Sequence, residues 1–98
     1  MRIVAKKTLV AFYEKHADAK TAIEDWHEKV SRAEWEHFPD LRNAFNSVDG
    51  VGNKRFVFNI KGNACRLVAL ILFRLKTVYI RFIGTHDEYD DLENIQNI

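Results

Sequence analysis

The fold is decided by residues 54–83, which read KRFVFNIKGNACRLVALILFRLKTVYIRFI. Residues 54–60 alternate in side-chain direction with an aromatic or aliphatic residue at every second position, which is typical of a strand with one buried face. Residues 61–63 are Lys-Gly-Asn and predict a hairpin turn, because glycine and asparagine adopt positive φ at low cost. Residues 64–74 are nearly all apolar, as in a central strand covered on both faces, and residues 77–83 alternate again. The stretch therefore predicts an antiparallel meander of three strands.

The same alternation assigns side chains to the two faces of the predicted sheet. In the first strand it places Phe56 and Phe58 on one face. In the last strand it places Tyr79 and Arg81 together and puts Phe82 on the opposite face with its apolar neighbours. We therefore expect one face to pack against helices and the other to stay open.

The residues before this stretch predict helices. Lys6 to His16 reads as a helix, and Asp18 is the expected N-cap of a second one. The apolar residues of that second helix repeat at four-three-four-three spacing: Ala19, Ile23, Trp26, Val30 and Ala33. Pro39 starts a short helix through Phe45, residues 46–53 read as a turn-rich connection, and Arg2-Ile3-Val4 as a short strand. Helices followed by a meander predict an α+β fold.

Length and composition limit the class of protein. A chain of 98 residues, 47% of them hydrophobic, is expected to form a single domain over residues 1–98 and not a disordered chain. Its one cysteine, Cys65, cannot pair within the chain, and we expect it to be a packing residue. The longest apolar run, Leu67 to Phe73, is far shorter than the ~20 residues of a membrane helix. We expect a cytoplasmic protein with no membrane association.

The distribution of charge is more informative than the net charge of +1. Residues 1–49 carry eight basic and nine acidic side chains, whereas residues 50–86 carry seven basic side chains and no acidic one. The acids return together at residues 87–93. Either the sheet presents a basic surface suited to nucleic acid, or apolar strands simply exclude Asp and Glu; composition alone leaves both open.

The end of the last strand carries the chemistry. Thr85-x-x-Glu88 matches a capping box, which makes His86 the first residue of a short helix and puts Tyr89 on the same side. The start of a helix also suits a bound phosphate. With Arg66 and Arg81 on neighbouring strands, these are the groups needed to cleave RNA without a metal: a proton acceptor, a proton donor and cations for the phosphorane.

Each of these features also has an ordinary structural explanation. His-x-x-Tyr is a weak motif by itself, and Arg66 can also be explained as an edge residue of an apolar strand. A metal site built from His86 with Asp87, Asp90 and Asp91 is one alternative. Acidic residues in the first turns of a helix also complement its dipole, and we favour that simpler account.

Taken together, the motifs resemble those of the HigB family of bacterial toxins. The resemblance is carried by residues 51–60 (VGNKRFVFNI), Gly62-Asn63 followed by RLVA at 66–69, and residues 79–90 (YIRFIGTHDEYD), with the Trp26 helix upstream. It implies a compact RelE-like fold and a toxin of a type II toxin–antitoxin pair. It further implies an mRNA interferase that enters the ribosomal A site and cuts translated mRNA without a metal or another cofactor. The implied partner is a HigA-type helix-turn-helix antitoxin.

The resemblance also assigns site residues. The expected catalytic group comprises His86, Tyr89, Arg66, Arg81 and Lys54, and the expected RNA-binding group comprises Arg55, Asn59, Lys61, Asn63, Arg74 and Lys76. Two alternatives remain open from the sequence: a non-catalytic RNA- or protein-binding module on the same fold, and a metal-dependent nuclease that uses the acidic cluster.

Overall fold

A computed structural model describes residues 1–62 and 64–98 of the chain. Within these residues the strands are β1 (Arg2–Val4), β2 (Val48–Gly52), β3 (Arg55–Ile60), β4 (Cys65–Leu72) and β5 (Thr77–Thr85). The helices are α1 (Lys6–Lys15), α2 (Lys20–Arg32), α3 (Phe38–Ala44) and α4 (His86–Asp90), with short 3-10 turns at Ala17–Ala19, Phe73–Leu75 and Ile95–Asn97. The predicted α+β class is confirmed.

The strands form one sheet in the order β1-β5-β4-β3-β2, in which β1 runs parallel to β5 and the other neighbours are antiparallel. The predicted meander corresponds to β3, β4 and β5, and the short first strand is also confirmed. The prediction of a turn-rich connection over residues 46–53 was wrong, because β2 lies there. Val48 is buried and pairs with Phe58, so tertiary packing outweighs the turn preference of the glycines that follow.

The three helices α1, α2 and α3 cover one face of the sheet and form the main core with it. Trp26 of α2 is 3% exposed and meets Phe58 of β3 edge to face, with 5.3 Å between the ring centroids. The predicted N-cap at Asp18 was wrong: Asp18 belongs to a 3-10 turn, and α2 begins at Lys20. The helix expected from Pro39 is confirmed as α3. No helix in residues 1–62 and 64–98 is long and apolar enough to cross a membrane.

A β-bulge at Arg81 changes the faces of β5. Tyr79 pairs with Leu70 and Phe82 pairs with Val68, and these two β4 residues lie on the same face. Phe82 therefore shares a face with Tyr79, and the prediction that it lies opposite was wrong. One extra residue between two ladder pairs shifts the alternation by one position.

The second face of the sheet is covered in part. Val57 and Val68 point away from α1, α2 and α3, yet Val57 is 6% exposed and Val68 is fully buried. The elements on this side are α4, which packs on β4 and β5, and the 3-10 turn at Ile95–Asn97, which packs beside β2. The expectation of a fully open face was therefore wrong.

Candidate active site

A capping box fixes the start of α4 at the end of β5, as the sequence predicted. The backbone N–H of Thr85 donates to the Glu88 carboxylate at 2.8 Å, and the Glu88 N–H donates to the Thr85 hydroxyl at 3.2 Å. The bonds from the Thr85 amide and hydroxyl lower the pKa of Glu88. These reciprocal bonds determine where the next turn places His86 and Tyr89.

Arg66 and Tyr89 are brought together on the second face. The Arg66 guanidinium carbon lies 5.4 Å from the centre of the Tyr89 ring, which is a cation–π contact. The same guanidinium donates a hydrogen bond to the side-chain oxygen of Asn59, its neighbour on β3. The Asn59 amide in turn donates to the hydroxyl of Ser47. A chain of polar contacts thus runs across the sheet and holds Arg66 under the tyrosine ring.

The environment of Tyr89 determines the state of its phenol. Partial burial raises the pKa of Tyr89, and the nearby Arg66 charge opposes that shift without cancelling it. The phenol therefore keeps its proton at neutral pH and acts as a hydrogen-bond donor. Burial likewise raises the pKa of the Cys65 thiol, which lies in the core; the prediction of a packing role is confirmed.

His86 is oriented by the carboxylate one turn later. Its Nε2 lies 3.1 Å from an oxygen of Asp90, and both side chains are about half exposed. When Nε2 carries the proton shared with Asp90, Nδ1 of the neutral ring is left as the proton acceptor. The arrangement can therefore take a proton at a defined ring atom.

Two of the first three backbone amides of α4 are used within the protein. The His86 N–H donates to the Ala64 carbonyl at 3.1 Å, and the Glu88 N–H is bonded to Thr85. The expectation that the helix start binds a phosphate is therefore not supported by these amides. In the part of the chain that the structure describes, no group of three or more His, Cys, Asp or Glu side chains is placed to hold a metal ion.

Arg81 and Arg55 form a second cluster. The Arg81 Nε donates to the backbone oxygen of Ile98 at 3.1 Å, and the Arg55 guanidinium donates to the same oxygen at 2.7 and 3.2 Å. Arg55 pairs with Leu70 of β4. Leu70 is four residues from Arg66 on the same strand, a distance of about 13 Å. The hydrogen bonds to Ile98 therefore group Arg81 with Arg55, whereas Arg66 contacts Tyr89.

The other residues expected in the site are spread over the sheet. Lys61 lies at the His86 end, where its ammonium pairs with Asp18 at 2.7 Å. The Lys76 ammonium donates to the Trp35 carbonyl at 2.9 Å. Lys54 and Arg74 line an apolar groove at the far end, so Lys54 is not brought to His86. Asn63 lies outside the described residues.

Two polar neighbours of the site were missed in the sequence. Ser47 lies in a segment read as a turn, and only its unrecognised position beside β2 brings it to Asn59. Asp90 was interpreted as a residue that complements the helix dipole. Its spacing of four from His86 was the available signal, because such pairs share a helix face.

Comparisons with known proteins give the same family as the motifs. A family model described as "HigB_toxin, RelE-like toxic component of a toxin-antitoxin system" matches residues 19–92. The mRNA interferase toxin HigB of Escherichia coli K12 and the mRNA interferase HigB of Shigella flexneri are each 32% identical over 92% of this chain and 88% of their own length. An mRNA interferase HigB of Escherichia coli O6:H1 is 27% identical over 94% of this chain and 91% of its own. The chain therefore belongs to the HigB family of RelE-like toxins.

Proposed function

We propose that this protein is a ribosome-dependent mRNA interferase, an endoribonuclease that cuts translated mRNA by metal-independent acid–base chemistry. The relatives named mRNA interferase support the reaction class. One sheet and one main core support the view that residues 1–98 act as one toxin domain.

The observation that carries the proposal is the contact between Arg66 and Tyr89 of α4. A protonated phenol, a cation and an imidazole with an oriented ring lie at one end of the sheet. A module that only binds RNA needs cations, whereas a pair of proton-transfer groups is needed for cleavage. This arrangement favours the enzyme over the binding module.

In the proposed reaction, neutral His86 takes the proton of a ribose 2′-hydroxyl. The 2′-oxygen attacks the adjacent phosphorus, and the bond from phosphorus to the 5′-oxygen breaks. Tyr89 gives its proton to the departing 5′-oxygen, and Arg66 stabilises the charge on the phosphorane. The products are a 2′,3′-cyclic phosphate and a 5′-hydroxyl. His86 then releases its proton to solvent and Tyr89 takes one up from solvent, which restores both groups.

The remaining basic residues fit binding better than proton transfer. We propose that six of them contact phosphates of messenger or ribosomal RNA: Arg55, Arg81, Lys61, Lys54, Arg74 and Lys76. Asn59 would position Arg66. Such contacts fix the position of the protein on the RNA and give it little sequence preference. The 33 × 28 × 23 Å dimensions of the protein support entry into the ribosomal A site.

Membership of a toxin–antitoxin family implies an antitoxin partner. We propose that it is a HigA-type helix-turn-helix protein that neutralises the toxin and represses the shared operon. We also propose that both act in the cytoplasm, where translated mRNA is found.

The test is expression of the wild type and His86→Gln in a bacterium, followed by mapping of mRNA 5′ ends. We expect new ends within translated frames for the wild type and at least about a hundredfold fewer for the variant, since general acid–base catalysis contributes that much or more. His27→Gln, on α2 among the core-covering helices, is the matched control and should cleave normally.

Two outcomes would contradict the proposal. Equal toxicity from folded His86→Gln without cleavage would favour the binding module. Loss of cleavage by purified protein on ribosomes whose own Mg²⁺ is kept constant, when a chelator of transition metals is added, would favour a metal-dependent nuclease.

A further inference from the structure

Residues 92–98 cross the second face of the sheet as a strap. They leave α4 near Arg66 and turn at Asn94, which has a φ of 53°. They end beside the β2–β3 turn, where the Asn53 side-chain amide donates to the Gln96 carbonyl and to the Asn97 side-chain oxygen, each at 3.1 Å. The 92–98 strap is therefore held at both ends.

The strap shares the second face with apolar residues that point away from α1, α2 and α3. Val57 and Val68 are buried although they point away from the main core. Within the strap, Leu92, Ile95 and Ile98 are themselves half-buried. The partial burial of these three side chains thus favours the strap in addition to its hydrogen bonds.

Two arginines converge on a single oxygen of the strap. The backbone oxygen of Ile98 accepts three hydrogen bonds, two from Arg55 and one from Arg81. A pair of guanidinium groups that converge in this way is a strong receptor for an anion, because each presents N–H donors in a planar fork. A phosphate group of RNA offers two oxygens that share its negative charge, whereas the strap offers the pair a single oxygen, and it therefore suits the pair better.

We propose that Arg55 and Arg81 form a phosphate site for a single-stranded RNA backbone, and that the 92–98 strap occupies this site in the free protein. RNA must displace the strap before it can lie along the second face toward Arg66 and Tyr89. The inference rests on the proposed ribonuclease function and adds regulation of that same site. The measured RNA affinity is then the intrinsic affinity multiplied by the fraction of molecules with the strap open.

A reversible disulfide lock tests this directly. A Cβ placed at Gly52 lies 3.8 Å from the Cβ of Gln96, which matches the usual Cβ separation across a disulfide bond. The Gly52→Cys/Gln96→Cys protein is compared in its oxidised and reduced forms. Cysteine at the Gly52 φ of +100° is strained, but both forms carry the same substitutions and therefore the same strain.

The measurement is fluorescence anisotropy with a short labelled single-stranded 2′-O-methyl RNA at one fixed salt concentration. Such RNA lacks the free 2′-hydroxyl and is not cleaved. We expect the oxidised form to bind at least about tenfold more weakly than the reduced form. Gln96→Cys alone should bind equally under both conditions, and equal affinity of the two forms of the double variant would overturn the proposal.

A second variant shifts the equilibrium between closed and open strap toward the open state. Asn53→Gly keeps the positive φ of 51° and removes both side-chain bonds to the strap, so RNA binding should tighten about threefold. Weaker binding would show that Asn53 contacts RNA itself and would overturn the proposed strap.

The mapped mRNA ends keep this proposal separate from the proposed function. If the wild type cleaves mRNA in cells while RNA binding is independent of the lock, only the strap proposal fails. If neither cleavage nor RNA binding by either form is detected, both fail.

Discussion

Tyr89 and His86 lie three residues apart on α4, yet different neighbours control their protons. Burial keeps the Tyr89 phenol protonated, with the Arg66 charge beside its ring. Asp90 orients His86 from one turn further along the helix. In the proposed reaction the two groups therefore have complementary roles, in which Tyr89 gives a proton and His86 accepts one.

We predict that Tyr89→Phe lowers kcat for mRNA cleavage by about a hundredfold or more with little change in KM, because the proton donor is lost while the ring stays in place. The pKa of Tyr89 lies above the ordinary tyrosine value of 10.0, so its phenol does not ionise between about pH 6 and 9. The shape of the pH–rate profile in that interval should therefore be the same in the variant and only its height should fall.

Tyr79→Phe is the matched control for this prediction, since Tyr79 lies on the same face and outside the α4 group. Its kcat should equal that of the wild type. A Tyr89→Phe protein with full activity would remove Tyr89 from the proposed mechanism.

At the scale of elements, α4 depends on the strand that leads into it. Gly84 is buried near the end of β5, and the ring of Phe82 lies over the place where a Cβ would be. Phe82 in turn contacts Tyr89, with 6.5 Å between ring centroids. The bulge that brings Phe82 to this face thus helps to position the catalytic helix.

We predict that Gly84→Ala destabilises the protein by about 1–3 kcal/mol, the usual cost of overpacking. An added Cβ would lie 2.5 Å from Phe82 Cζ and 3.2 Å from Glu88 Cβ, so both the ring and the start of α4 must shift. Urea unfolding should show the loss, and cleavage by the folded variant should fall as well.

Gly50→Ala provides the comparison, because its added Cβ would meet Phe56 at an ordinary 3.5 Å. Its stability and cleavage should stay close to the wild type. Equal behaviour of the two alanine variants would contradict the positioning role of Gly84.

The features predicted correctly from the sequence are those that depend on local spacing of residues. The alternation of Phe56 and Phe58 and the Thr85–Glu88 capping box depend on local spacing, and both were predicted correctly. β2 and the bulge at Arg81 depend on how each strand pairs with its neighbour in the sheet, and the side-chain pattern within one segment does not reveal that pairing. Local rules predicted the elements, and tertiary pairing determined the exceptions.

At the scale of the whole molecule, the net charge of +1 is the sum of separate regions. The basic sheet was recognisable from the sequence, but its division into an Arg66 cluster and an Arg55–Arg81 cluster was not. That division depends on where residues 92–98 fold back. Their composition carries no pattern that specifies a path across the sheet.

The helix-covered core is expected to supply most of the stability. Phe58 is 1% exposed and contacts both Trp26 and Phe45 edge to face. We predict that Phe58→Ala costs about 3–5 kcal/mol of unfolding free energy, measured with urea. Leu75→Ala, at a side chain that is 66% exposed, should change stability by no more than about 0.5 kcal/mol; similar losses at both sites would contradict this assignment of the core.

The parallel pairing of β1 with β5 has a consequence for the order of folding. Arg2 and Val4 pair with Thr77 and Tyr79, so the first strand has no partner until most of the chain has been synthesised. Contacts between such distant segments form slowly, because a long loop must close first. Arg81 and α4 are made later still. A growing chain therefore lacks the finished RNA-binding face, and the proposed nuclease would assemble only once its own message had been read almost to residue 98.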